Sequence, residues 1–208
     1  SLFRILWSMQ KLRIALGTSI AVIVVWLSAL VYFSLFSETR IPESSQDDEK
    51  ISIVATMYPL AWMASDLDPA AVITTIVGPG VEPHDFSPTI EDVKLMEDAE
   101  LLLVNRGVDE WAIDVIADRS GPTVSMMEML GLFEDPHVWL DPILAQRMVE
   151  GIGSKLALID PKRAHIIREN VVKKIALLQG IDDAYRLGLA RCQVPEIVSS
   201  HDAFGFLA

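Results

Sequence analysis

Apolar positions run almost unbroken over residues 14–36, interrupted only by Gly, Ser and Thr, and then give way to a sharply polar stretch. About 20 such residues suffice to cross a bilayer. Arg4, Lys11 and Arg13 precede the run, whereas Glu38, Glu43, Asp47, Asp48 and Glu49 follow it. The positive-inside rule therefore sends everything after it to the outer side of the membrane. The run exceeds the apolar core of about 7–15 residues found in cleaved signal peptides, and no small-x-small site stands out around residues 33–37. The expectation is a signal or anchor segment over residues 1–37, left uncleaved, and an acidic linker over residues 38–50.

Beyond the linker the apolar pattern changes to short, β-branched runs at residues 51–57, 71–77 and 101–105. These read as strands. Stretches with helical spacing fall between and after them, at residues 60–67, 89–99 and 109–118. Strands alternating with helices predict an α/β fold with a parallel sheet covered on both faces. Asp141-Pro142 then supplies a capping residue and a proline at a first helical position, followed by apolar Leu144, Met148, Ile152 and Leu156. Asp160-Pro161 is a second start signal of the same kind. The run it opens keeps Ala164, Ile167, Val171, Ile175, Leu178 and Ile181 in helical register to residue 189, roughly 45 Å of helix at 1.5 Å per residue. A helix of that length suits a bridge between two lobes. The expected organisation is an α/β lobe over residues 51–159, a linking helix over 160–191, and the start of a second lobe over 192–208. In that last part residues 196–200 read as a strand with few sheet partners, which leaves Ile197, Val198, Phe204 and Phe206 poorly covered.

The net charge of −12 provides no basic face for a phosphate backbone and argues against nucleic acid as a partner. A single cysteine, Cys192, rules out an internal disulfide and the paired-thiolate zinc motifs. It is expected as a small buried apolar residue. Any metal must then be held by histidine and carboxylate. Of the four histidines, His165 sits inside the long helical run and is taken as structural. The other three share a local setting. His84 lies just past the second strand, His137 just before the capped helix, and His201 just after residues 196–200. Ligands of open α/β sheets bind at the carboxyl ends of strands. Three imidazoles converging there supply most of a tetrahedral zinc site, with one further oxygen or water needed. Pro83 and Pro136 stiffen the approach to His84 and His137. Asp85 and Asp202, each directly after a histidine, could accept a hydrogen bond from a ligand ring or serve as turn residues.

Three segments together carry a resemblance: Gly78-Pro79-Gly80-Val81-Glu82-Pro83-His84-Asp85-Phe86-Ser87-Pro88-Thr89, then Asp135-Pro136-His137-Val138-Trp139-Leu140-Asp141-Pro142, then Ser200-His201-Asp202-Ala203-Phe204-Gly205. In that order they resemble the metal-ligand segments of the zinc/manganese solute-binding proteins of ABC importers, and the likeness extends over nearly all of residues 51–208. It implies two α/β lobes joined by one long rigid helix. Of these, the first lobe, the helix and the start of the second lobe fall within the chain. It further implies a metal between the lobes on His84, His137 and His201, with a fourth carboxylate ligand from the second lobe. The implied cargo is Zn2+, with Mn2+ as the alternative, handed to the membrane permease of the importer by an extracytoplasmic, monomeric, non-enzymatic receptor. Two departures stand out. Residues 105–110 replace the family's usual Gly-rich turn, so Glu110 is read as structural, and no His-rich acidic loop precedes His137. Other readings are a manganese-type receptor, a metal-dependent adhesin of the same family, or a zinc hydrolase. For the last, Glu82 and Asp85 are the nearest candidate bases, but no helical H-E-x-x-H or similar arrangement fixes either.

Overall fold

The computed structural model describes residues 26–28, 50–194 and 196–207. The chain divides into two compact units, residues 1–48 and 49–208. In the first, Trp26, Leu27 and Ser28 are helical and exposed. The rest of the expected anchor over residues 14–36 lies outside the described residues. Among the described residues no helix is long and apolar enough to cross a membrane.

The second unit alternates strand and helix: β1 (Ser52–Ala55), α1 (Tyr58–Ala64), β2 (Val72–Thr75), α2 (Ile90–Asp98), β3 (Leu101–Val104), α3 (Ile113–Asp118), β4 (Thr123–Ser125), α4 (Met126–Leu130), α5 (Pro142–Ile159) and α6 (Ala164–Leu189). Single 3₁₀ turns at Glu110–Ala112 and Val138–Leu140 complete it. The four strands are parallel in the order β2-β1-β3-β4. Val54 stands opposite Thr74 on one side and Leu102 on the other. The chain moves outward from β1 to β2 and then returns past β1 to β3. That reversal creates a crevice at the carboxyl ends of β1 and β3, where open α/β sheets bind ligands.

Side chains along a strand alternate between faces, and the core follows. Ile53, Ala55, Leu101 and Leu103 pack with α1, α4, α5 and α6 in the larger apolar cluster. Val54, Leu102 and Val104 pack with α2 and α3 in the smaller one. All four residues of β3 are fully buried. Burial on both faces explains its unbroken apolar sequence and contributes about 2 kcal/mol per side chain.

Polar side chains set the helix ends. Asp141 Oδ1 accepts from the backbone N–H of Ile143 (2.6 Å) and Leu144 (3.0 Å), capping α5 as its sequence predicts. Thr89 and Asp92 form a reciprocal capping box on α2. At the other end of α2, the Arg119 guanidinium donates to the carbonyls of Met96 (2.5 Å), Glu97 (2.6 Å) and Ala99; burial lowers its pKa. Asp160 Oδ1 accepts from Lys162 N and Arg163 N. These bonds hold residues 161–163 as a turn, so α6 begins later than the proline suggests and spans 26 residues, about 39 Å.

Polar contacts tie α6 and the residue before it to the strand-bearing part, among them Asn170 Nδ2 to Leu67 O at 3.2 Å. Arg163 Nε lies 3.1 Å from Asp68 Oδ1, and its Nη2 lies 2.6 Å from Asp160 Oδ2. Lys174 Nζ donates to Ser65 O (3.0 Å) and Ser65 Oγ (2.9 Å) and stands 4.3 Å above the Trp62 ring. Burial pushes this ammonium's pKa down, against the opposing pull of Asp66.

Several expectations change. The β4–α4 unit appears where the sequence suggested nothing. Residues 196–200 form no strand, although Ile197 and Val198 are exposed as expected. Phe206, by contrast, packs against the larger core cluster. Cys192 is exposed rather than buried, because α6 ends at Leu189 and the chain leaves the packed surface.

Candidate metal centre

The loop after β2 carries His84 and is pinned at both ends. Trp111, in the 3₁₀ turn after β3, donates its Nε1–H to Pro83 O at 3.0 Å, and its ring packs on Phe86 at 4.9 Å. The capping box at Thr89 fixes the far end. Glu82 Oε1 accepts from His84 N at 3.3 Å. Glu82 thus braces its own loop.

His137 begins the 3₁₀ turn that leads into α5 and is 7% exposed. The Asp135 carboxylate folds back over two residues. Its Oδ1 accepts from His137 N at 2.9 Å and meets His137 Nδ1 at 2.7 Å. A carboxylate accepts only, so Nδ1 carries a proton, and in the neutral, metal-binding form of the ring Nε2 presents its lone pair. The Trp139 ring lies 5.3 Å away.

His201 stands on the segment after α6. Phe206 anchors that segment to the core, and the Leu207 N–H donates to Phe204 O at 3.0 Å. Gly205 comes close to the Asp135 carboxylate; a Cβ there would sit 3.2 Å from Oδ2.

These three loops bring His84, His137 and His201 together, with one ligand atom from each ring all within 4.8 Å of one another. Ring centroids are 5.9 Å apart for His84–His137, 6.0 Å for His84–His201 and 4.7 Å for His137–His201. The Nε2 atoms of His137 and His201 are 3.0 Å apart. Zinc–nitrogen bonds of about 2.0–2.1 Å in a tetrahedron would place two ligand nitrogens roughly 3.3–3.4 Å apart. Only a small adjustment separates the pair from that geometry. His84 and His201 are exposed and His137 is buried, so solvent reaches the cluster from one side. His165 lies exposed on α6, outside the cluster.

Sequence reasoning looked for supporting carboxylates directly after the histidines. Asp85 and Asp202 make no hydrogen bond to a histidine ring among the described residues; the partner is Asp135, two residues before His137. The signal was present in Asp135-Pro136-His137, a spacing at which an Asp side chain commonly accepts from the backbone two residues on. Glu110 Oε1 accepts from Gly107 N at 2.6 Å and braces the turn after β3.

This fold recurs in solved structures. The metal-dependent lipoprotein YcdH of Bacillus subtilis superposes with a TM-score of 0.71 at 30% identity, over 76% of this chain and 63% of that one. The Zn(II)-bound ZnuA-like domain of Streptococcus pneumoniae AdcA superposes with a TM-score of 0.70 at 27% identity, over 76% and 62%. Residues 53–208 match the family described as zinc-uptake complex component A, periplasmic, and the chain belongs to that family. The high-affinity zinc uptake system protein ZnuA of Bacillus subtilis is 28% identical over 197 residues, 83% of this chain. The chain spans 61% of that relative's length.

Proposed function

We propose that His84, His137 and His201 hold a divalent metal ion, Zn2+ in the first place, and that the chain is an extracytoplasmic receptor that hands this cargo to the membrane permease of an ABC importer. The observation that carries the reading is the meeting of three imidazoles from three separate loops at the carboxyl edge of a parallel sheet, with one ring backed by a carboxylate. Neutral imidazole suits zinc, whereas manganese favours oxygen. The names of the relatives, a zinc uptake protein and a Zn(II)-bound domain, agree with that preference. In this reading residues 51–159 are the metal-binding lobe, residues 160–191 a linking helix, and residues 14–36 the membrane anchor. The receptor acts as a monomer, and a carboxylate from a second lobe would complete the coordination.

The role is capture rather than catalysis. Water activation by a three-histidine zinc needs a positioned base, and Glu82, the nearest glutamate in sequence, is engaged with the His84 backbone. Titration of the metal-free chain with zinc against a competing chelator tests the site. One zinc per chain, lost in the His84→Ala, His137→Ala, His201→Ala triple variant, is the expected result; wild-type binding by that variant overturns it.

A further inference from the structure

Behind His137 lies a buried polar turn that the sequence marked only as a departure from a Gly-rich pattern. We infer that Asn105, together with Gly107, is a positioning residue that sets His137 for metal; this rests on the metal-site reading above.

The Asn105 side chain is fully buried at the end of β3 and reaches 31 residues along the chain to donate from Nδ2 to Pro136 O at 2.8 Å. Pro136 O and His137 N belong to one peptide plane. The other polar atom of that plane, His137 N–H, donates to Asp135 Oδ1 at 2.9 Å. Both polar atoms are held, so the plane from which the His137 side chain departs cannot rotate without losing a hydrogen bond. Asn105 is itself immobilised. Asp109, 1% exposed, accepts from Asn105 N (2.8 Å), Arg106 N (2.6 Å) and the hydroxyl of buried Thr56, just past the end of β1. A continuous chain of bonds therefore runs from the edge of the central strands to the histidine.

Gly107 completes the socket. Its φ of +79° and its approach to Pro136, where an added Cβ would lie 2.7 Å from the proline Cβ, leave no room for a side chain. Asn105 Oδ1 has no hydrogen-bond partner among the described residues. A buried acceptor left unpaired calls for an explanation, and here the amide is oriented by its donors, which serve Pro136 O and Arg106 O.

The test uses the full chain with Asn105→Leu, which removes the donor while keeping the branching of the side chain, and Gly107→Ala, which crowds Pro136 while keeping Asn105. Zinc affinity by chelator competition and the visible spectrum of the Co2+-loaded chain are read for each, beside Leu156→Ala as a core-destabilised control. Both site variants are expected to bind zinc about 10–100-fold more weakly and to change the Co2+ spectrum, whereas Leu156→Ala, matched in thermal loss, changes neither. Should Asn105→Leu fail to fold, Gly107→Ala decides alone. Wild-type affinity and spectrum in the folded variants would reduce the turn to a fold-stabilising role and overturn the inference, leaving the metal site intact. Absence of zinc binding by the wild-type chain would overturn both.

Discussion

His137 and His201, 64 positions apart in the chain, bring their Nε2 atoms to 3.0 Å from each other while Asp135 holds the opposite nitrogen of the His137 ring. The carboxylate thereby selects the tautomer whose lone pair faces the cluster. Asp135→Ala frees the ring and the preceding backbone together, so zinc affinity should fall about 10–100-fold. Competition with a chelator measures it, and an unchanged affinity would show that ring orientation does not depend on Asp135.

Protons and metal compete for the same imidazole lone pairs. Acidification therefore weakens binding. Zinc titrations at successively lower pH should show a loss of affinity; a flat profile excludes an imidazole site.

Three nitrogen donors favour zinc over manganese. In a competition at equal concentrations, Mn2+ should leave bound Zn2+ in place. Displacement by manganese would contradict the assigned cargo.

The strands β1 and β3 were legible because burial on both faces forces continuous apolar runs, the half-exposed edge strand β2 because it is β-branched throughout, and α5 because Asp141-Pro142 spells out its start. β4 escaped notice: its three residues are too few to establish a period. Residues 196–200 misled for the opposite reason, since a β-branched run signals a strand only where another strand is free to pair. His84 and His137 were visible through their places after β2 and before α5, whereas His201 was reached through a strand over residues 196–200 that does not form. Asn105 and Asp109 were not visible, because their bonds to Pro136 and Thr56 join loops that no single segment contains; Asp135 stood in plain reach, two residues before His137.

Asp68 has a fully buried side chain and is paired with Arg163. Arg163 keeps Asp160 when Asp68 is removed, so the loss is that of the bond tying the start of α6 to the strand-bearing part. Asp68→Ala should lower unfolding stability by about 2 kcal/mol in urea titrations, by loosening the start of α6. A change below about 0.5 kcal/mol, as at ordinary surface sites, would show that the pair does not hold the helix.

X-ray absorption at the zinc edge of the chain loaded with one equivalent of metal tests the central claim most directly. The account predicts three imidazole nitrogens at about 2.0–2.1 Å, with the imidazole scattering lost when His84, His137 and His201 are all replaced by alanine. A shell of oxygens alone in the wild-type chain, or imidazole scattering that survives the triple replacement, would contradict it.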